Sequence, residues 1–577
     1  MGRGIVVTKS ERTLSPHRHF VLVGVFALVL LALVGRSGFL AVTERKFLQN
    51  EGEARATRIA EIRAHRGIIS DRNGDPLAVS TPMVSVWMDP SVDRLDARDL
   101  EVVAELLERP ADRLRKRLEE SNQRRFVYLA RGVGPAVASS LVSLAIPGIR
   151  FKDEYRRFYP SGEISAHIVG RTDIDDVGQE GIELSMDHVL RGEPGSKRIL
   201  KDRKGQRIRD LDFFDAPDFG DDVELSIDLR LQFLAYRELK AAVEHSGARS
   251  GSVVVLDVQS GDVLALVNQP SYNPNRVGDL DFDSMRNRAI TDLFEPGSTV
   301  KPFAVLAALE TSSYRPDTVI DTSPGYLLVG RKMVEDPLNR GRLTVSEILA
   351  RSSQVGIAKI ALGLEGSHLY DVFHRSGLAA IPATGLPGEV AGVLTDREIG
   401  SPIVRASLAY GYGVTASAMQ LAQSYLTIAS GGVRRQVNLV RGLPHTSDER
   451  VFDETDVESL IRMMEGVATT KGTAPKARVP GFEIAGKTGT SRKIKSGKYD
   501  DTRHVALFAG MAPSRDPKAV VVVIINEPLG EVVGGGDVAA PVFSRILARS
   551  LRILGVAPEK YLGNSGKRSD RVVARAA

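Results

Sequence analysis

"EPGSTVKPF", Glu295 to Phe303, sets a serine and a lysine three positions apart, behind a Pro-Gly pair and ahead of an apolar run. Positions three apart on a helix share a face, so Ser298 and Lys301 are predicted neighbours at a helix start, with Pro296 and Gly297 shaping the entry. A helix N-terminus adds free N–H groups and positive potential beside the hydroxyl. Serine is a poor nucleophile at neutral pH and needs a base within hydrogen-bond reach. Lysine serves as that base only when uncharged, and burial together with a second nearby cation pushes it that way. Alone, the pattern more readily describes a solvated pair on a helix; its company argues against that. "RSSQVG" brings Ser352 and Gln354 after the helix-like "VSEILA", and "GKTGT" brings Lys487, Thr488, Gly489 and Thr490 on a predicted strand.

The sequence around these motifs predicts one domain over residues 221–560. "DDVELSIDLRLQFLAYRELKAAVEHS" reads as a strand entering an amphipathic helix, with Leu229, Phe233, Tyr236, Leu239 and Val243 on its apolar side. "GSVVVLDVQSGDVLALVNQP" is a hairpin turning at Gln259-Ser260-Gly261-Asp262, and "FEIAGKTGTSRK", "HVALFAGMAP" and "AVVVVIIN" are three more strands. The expected fold class is α/β of the α+β type. A mainly antiparallel five-stranded sheet is assembled from both ends of the domain, with helices between and around.

The remaining sequence argues for export. Phe20 to Gly35, "FVLVGVFALVLLALVG", carries no charge, and extension to Val42 makes a span long enough for a bilayer. Arg3, Lys9, Arg12 and Arg18 precede it with only Glu11 opposing, which places residues 1–19 in the cytoplasm and exports the chain beyond the span 20–42. A cleaved signal peptide is the alternative, but no small-x-small cleavage site comes after the apolar run, and "TERKFLQNEGEARATRIAEI" reads as continuing helix. The chain has no cysteine. Its 77 basic and 72 acidic residues among 577 form a mixed surface that gives no reason to invoke nucleic acid. Outside the membrane no ATP is at hand, so any bond made there draws on energy already in the substrate.

Residues 43–220 read as a non-catalytic module: "DRNGD" is a turn between extended runs, Asp99 to Leu144 is helical in period, and "RRFYPSGEISAHIVGRTD" mixes strand and turn. His65, His167 and His504 share no metal-ligand spacing, and residues 561–577 form a small, basic tail expected to be disordered.

Ser-x-x-Lys, then Ser-x-Gln where the family pattern has Ser-x-Asn, then Lys-Thr-Gly, in that order, resembles the penicillin-binding protein and serine β-lactamase superfamily. The N-terminal anchor, "RGIISDRNG", "EGIELSMDHVLRGEPG" and "AYGYGVTASAMQLA" narrow the resemblance to class B penicillin-binding proteins, and "FEPGSTVKPF" with "APVFSRI" to the division-specific, FtsI-type D,D-transpeptidases. The resemblance implies that Ser298 is the acylated nucleophile, Lys301 its base, and Ser352 a proton relay to the leaving amine. Lys487 and Thr488 would meet the substrate carboxylate, Gly489 would allow close approach, Gln354 and Thr490 would contact the bound peptide, and the backbone N–H groups of Ser298 and Thr490 would form the oxyanion hole.

It further implies acyl transfer between peptidoglycan stem peptides without cofactor or metal, and acylation by β-lactams. It implies a pedestal or dimerisation-type module at 43–220, anchorage in the bacterial inner membrane at the division septum, and an FtsW-like SEDS glycosyltransferase as partner. Two rival readings stay open: a D,D-carboxypeptidase or β-lactamase-like hydrolase, and a β-lactam-binding scaffold or sensor. Gln354, and Val532 and Val533 where aromatics are common, are the departures from the pattern. Arg66, Arg72 and Asn73 are read as closing a structural turn, with partner contact as the alternative.

Overall fold

The computed structural model describes residues 16–46, 57–201, 207–276, 278, 281–443, 448–495 and 497–559. The chain divides into two compact units, one formed by residues 1–64 with 193–218 and the other by 65–192 with 219–577. The first unit holds the helix Pro16–Val42, whose segment from His17 is long and apolar enough to cross a membrane. It also holds an antiparallel sheet in which Gly195–Lys201 pairs with both Thr57–Ile62 and Arg207–Asp215.

Of the stretch expected to continue as helix to Ile62, "TRIAEI" is a strand; after a break at Thr43 and Glu44 the backbone is helical again at Arg45 and Lys46, and residues 47–56 lie outside the described residues. Thr57, Ile59 and Ile62 favour extended backbone. Their hydrogen-bonding partner lies more than a hundred residues away, beyond any local reading. Residues 1–15 and the 561–577 tail fall outside the described residues.

In the second unit the principal sheet runs Val263–Gln269, Ser250–Asp257, Ala519–Asn526, Lys498–Ala512, Ala485–Lys495, antiparallel throughout. "AVVVVIIN" lies at its centre, with Ala519 to Ile525 buried, as its β-branched composition demands. On one face pack Leu229–His245, whose first turn is capped by the Asp228 carboxylate, and Gly535–Ile553. The expected apolar side of the first helix holds for Tyr236 and Leu239, which are buried, and for Val243, which packs against the same core; Leu231, Leu234 and Ala235 join them, whereas Phe233 is 48% exposed. Gln232 occupies that buried face because its amide donates to the carbonyls of Ile164 and Leu266 and accepts from Leu266 N–H, so its polarity concealed the true stripe.

The other face carries Lys301–Glu310, Gln354–Leu362 and Ala418–Ala429. Lys301 to Leu309 are all buried, which makes this a central helix. Phe303 stands edge-on to both Phe373 and Tyr425.

Residues 65–192 build a second sheet with Pro76–Met88 between Val127–Val133 and Arg150–Phe158. Val127–Val133 interrupts the expected helical stretch, leaving helices at Ala97–Leu106, Ala111–Glu120 and Pro135–Ser143. The Asp71 carboxylate closes the predicted turn by accepting from the N–H groups of Asn73 and Asp75, and it also accepts from Leu229 N–H. Arg66 serves a different purpose: at 1% exposure it donates to the Glu183 and Asp187 carboxylates, and Arg157 donates to the same Glu183. A guanidinium so enclosed has no surface to offer a partner. His167 is equally structural, its ring bonded to Ser284 O and held neutral by burial, which lowers its pKa to about 4.

Candidate active site

Ser298 sits on a single 3-10 turn, Gly297–Val300, that runs straight into the helix Lys301–Glu310. Residues three apart eclipse one another in a 3-10 turn, so the predicted Ser298–Lys301 alignment is realised more tightly than an α-helix allows. Two segments clamp this turn. Gly411, at φ 86, lies so close that a Cβ there would stand 2.0 Å from Gly297 O. Gly297 N–H donates to Gly411 O. Hence Gly411 of "AYGYG" eases chain packing, whereas Gly413 has open space around it and a positive φ of 78. On the other side, a Cβ at Gly489 would meet Thr299 Cγ2 at 2.8 Å and Pro296 O at 2.9 Å. The Lys-Thr-Gly strand is thus seated directly on the nucleophile turn.

Ala485–Lys495 is the edge of its sheet, which leaves one line of backbone groups unpaired and facing the turn. Lys487 projects from it into the protein, and Lys301 reaches the same place from the helix; both are 0% exposed. Ser352 lies between them. Lys301 Nζ donates to Ser352 O at 2.7 Å and to Ser352 Oγ at 3.1 Å, and Lys487 Nζ donates to Ser352 Oγ at 2.9 Å. Ser352 adopts φ 58, a costly left-handed conformation for a serine that is held only because its surroundings demand it.

Burial pushes the Lys301 amine down to about 7, against an upward pull from Asp336. Burial, with the repulsion of Lys301 added, also holds Lys487 well below the ordinary lysine range. Two amines around one hydroxyl cannot both stay charged, and they lose a proton as a pair.

Counting donors and acceptors shows the consequence. A neutral amine has two N–H donors and one lone pair. Lys301 directs its donors to Ser352 O and Oγ, leaving its lone pair uncommitted. Lys487 finds three acceptors: Ser352 Oγ, Thr488 O at 3.2 Å and Thr488 Oγ1 at 3.4 Å. Ser298 Oγ and the Gln354 side-chain amide have no hydrogen-bond partner among the described residues, which leaves both groups open to a substrate.

Thr488 Oγ1 is held by Thr473 at 2.9 Å, and Thr490 Oγ1 accepts from Gly535 N–H at 3.1 Å. Of the residues named from the sequence, Lys301, Ser352, Lys487 and Thr488 are joined by hydrogen bonds, Gly489 and Thr490 lie against the turn that carries Ser298, and Gln354 heads the helix that follows Ser352.

Sequence reasoning missed four supports. Asp336 accepts from Ser353 Oγ at 2.5 Å and from the N–H groups of Gln354 and Val355, capping the helix that carries the Ser-x-Gln motif. Nothing in "KMVEDPLNR" marks it. Glu295 accepts from Gly413 N–H and Tyr499 Oη, and Tyr412 packs against the Tyr499 ring at 5.3 Å. Glu295 and Tyr412 lie inside "FEPGSTVKPF" and "AYGYGVTASAMQLA", so their place in those motifs was the available signal.

Residues 251–548 match the penicillin binding protein transpeptidase domain, and residues 61–225 match the penicillin-binding protein dimerisation domain. The peptidoglycan D,D-transpeptidase FtsI of Escherichia coli K12 is 40% identical over 565 residues, covering 96% of this chain and 95% of that protein. The probable peptidoglycan D,D-transpeptidase PbpC of Pseudomonas aeruginosa is 38% identical over 543 residues, covering 94% and 96%. Among solved structures, penicillin binding protein 3 of Mycobacterium tuberculosis complexed with aztreonam has a TM-score of 0.68 at 26% identity, covering 86% of this chain and 99% of that one. Identity of this order sustained over nearly the whole length, together with the clustered motifs, settles the relationship: the chain belongs to the penicillin-binding protein transpeptidase family.

Proposed function

We propose that this protein is a peptidoglycan D,D-transpeptidase that works through a Ser298 acyl-enzyme. The observation that carries the reading is the placing of Ser352 Oγ between two buried amines beside the Ser298 turn. In the first step Ser298 Oγ bonds to the carbonyl carbon of the penultimate D-Ala, and its proton passes to the Lys301 lone pair. The developing oxyanion is met by the N–H groups of Ser298 and Thr490; a donor of this kind contributes about 3 kcal/mol in the transition state.

The bond to the terminal D-Ala nitrogen then breaks. Ser352 Oγ, receiving hydrogen bonds from both lysines, keeps its own O–H free to protonate that nitrogen and takes in exchange, from Lys301, the proton that came from Ser298. Thr488 and Lys487 meet the terminal carboxylate, and Gln354 bonds the peptide backbone. An amine from a second stem reverses the sequence, so one amide is exchanged for another and no external energy source is needed. β-Lactams enter the same first step and stop there.

The domain reading that accompanies this is a cytoplasmic 1–19, a membrane anchor at 20–42, a pedestal at 43–220 and a transpeptidase domain at 221–560. Work at the septum beside an FtsW-like SEDS glycosyltransferase belongs to the same proposal, supported by likeness to proteins named FtsI and by the apolar N-terminal helix.

The test is labelling of the purified full chain with fluorescent penicillin, with subsequent incubation with stem-peptide donor and acceptor. Long-lived label lost in Ser298→Ala, with cross-linked dimer formed in the unmodified protein, is the expected result. Rapid release of label to water would instead establish a hydrolase, and failure to label would leave only a scaffold.

A further inference from the structure

A hydroxyl carries one proton and two lone pairs, and only the proton is of use to a carboxylate. Thr488, 7% exposed on the strand Ala485–Lys495, has its Oγ1 3.4 Å from the Lys487 amine, which donates to it. That long bond takes up one lone pair and leaves the direction of the Thr488 proton unset.

The second neighbour of this oxygen is Thr473, whose Oγ1 lies 2.9 Å from Thr488 Oγ1. Both are hydroxyls, so the bond can run either way. With Thr488 as donor, its proton is spent inside the protein and the cleft is offered lone pairs that repel an anion. With Thr473 as donor, both Thr488 lone pairs are occupied, one by each neighbour, and its O–H points away from the two of them. Among the described residues the Thr473 hydroxyl has no other partner, so no competing acceptor draws its proton away. A carboxylate accepting from Thr488 selects this second direction, because each bond in such a chain polarises the next.

Thr473 is also fixed from two sides. The adjoining Ala474 is fully buried and its N–H donates to Val467 O, within the turn Gly466–Ala468. Opposite, Gly536 in the first turn of the helix Gly535–Ile553 comes so near that a Cβ there would stand 2.2 Å from Thr473 O and 3.6 Å from Thr488 Cγ2. Gly535 N–H, one residue earlier, donates to Thr490 Oγ1. One helix start therefore steadies both threonines of the strand, Thr490 directly and Thr488 through Thr473.

We propose that Thr473 is a positioning residue: by donating to Thr488 Oγ1 it turns the Thr488 O–H toward the terminal carboxylate of the donor stem, and toward the matching carboxylate of a penicillin. This role rests on the transpeptidase reading above. The test measures second-order acylation rate constants of the full chain in detergent with benzylpenicillin and with its methyl ester, which has the same shape around the lactam and no charge. Thr473→Val removes the hydroxyl at nearly constant volume, and Thr473→Ser keeps it.

The expected result is that Thr473→Val slows the acid about tenfold, the scale of one hydrogen bond to a charged group, while the ester changes by less than about twofold. The acid-over-ester preference of the unmodified protein then collapses in Thr473→Val and survives in Thr473→Ser. In a Thr488→Ala background, where the hydroxyl through which Thr473 acts is gone, adding Thr473→Val slows the acid no further. Should the valine variant fail to fold, Thr473→Ala gives the same comparison. Equal slowing of acid and ester, no slowing of either, a loss repeated in Thr488→Ala, or an unmodified protein indifferent to the charge overturns the role of Thr473 while leaving the transpeptidase reading intact. Failure of benzylpenicillin to acylate Ser298 in the unmodified protein overturns the transpeptidase reading and the role of Thr473 with it.

Discussion

Replacing Lys301 by methionine separates what the buried amine costs from what it does. Burial moves this amine from 10.5 to about 7. At about 1.4 kcal/mol per tenfold, that gap amounts to about 5 kcal/mol of lost stability when the unfolded chain is fully protonated. Proton counts give the sign. Between pH 7 and 10.5 the unfolded chain keeps a proton that the folded protein has released, so stability rises with pH by about 1.4 kcal/mol per unit. Below pH 7 both states hold the proton, and the penalty is complete and constant.

Methionine fills similar space without charge and removes this term. Against it stands the loss of the 2.7 Å donor to Ser352 O, at about 1–3 kcal/mol for a buried acceptor left bare. The net expectation is a variant more stable by about 2–4 kcal/mol at pH 7, a rise of several degrees in Tm, with the advantage vanishing near pH 9. Thermal unfolding of the full chain at pH 7, 8 and 9 measures it, while penicillin labelling should be lost at every pH. A variant that melts below the parent at pH 7, or an offset independent of pH, would refute the buried neutral amine.

The same amine sets the pH dependence of acylation: the rate constant for benzylpenicillin should rise through pH about 7 as the lysine pair gives up its proton, and a flat profile from pH 5 to 9 contradicts this. Because Asp336 pulls the Lys301 value upward, Asp336→Asn should move that limb to lower pH; a limb that stays in place removes Asp336 from the electrostatics. Ser352→Ala takes away the oxygen on which both amines converge, and stopped-flow acylation should slow by about 100-fold or more. Gly489→Ala drives a methyl into Pro296 O and Thr299, so acylation should fall about 100-fold through displacement of the nucleophile turn, and an unaltered rate would show that the strand is not seated as described.

Legibility in the sequence tracked the range of the interactions involved. The hairpin turning at Gly261 and the strand "AVVVVIIN" are announced by turn chemistry and by β-branched runs, and both occur as read. The strands Thr57–Ile62 and Val127–Val133 were hidden because each depends on a partner remote in sequence while its own residues tolerate helix. The incomplete reading of the buried face of Leu229–His245 has another origin: Gln232 is buried by bonds to the neighbouring strand, and a hydropathy pattern registers only its polarity. At the site, the residues that react sit in motifs of fixed spacing, whereas Asp336 and Thr473 act by bonds formed only after folding.

That division has a physical reason, and the central helix displays it. "KPFAVLAAL" puts the Lys301 amine at the head of nine consecutive buried residues, so the burial that lowers its pKa is written in the stretch that directly follows Ser298. An isolated lysine there would unpair a charge in an apolar interior and destabilise the fold by several kcal/mol. The fold tolerates it because Ser352 bends into a left-handed conformation to present two oxygens, and because Asp336 fixes the next helix so that they stay in place. The buried amine is therefore kept at the expense of stability in the very helix that anchors the core, and the strain at Ser352 is the structural trace of that exchange.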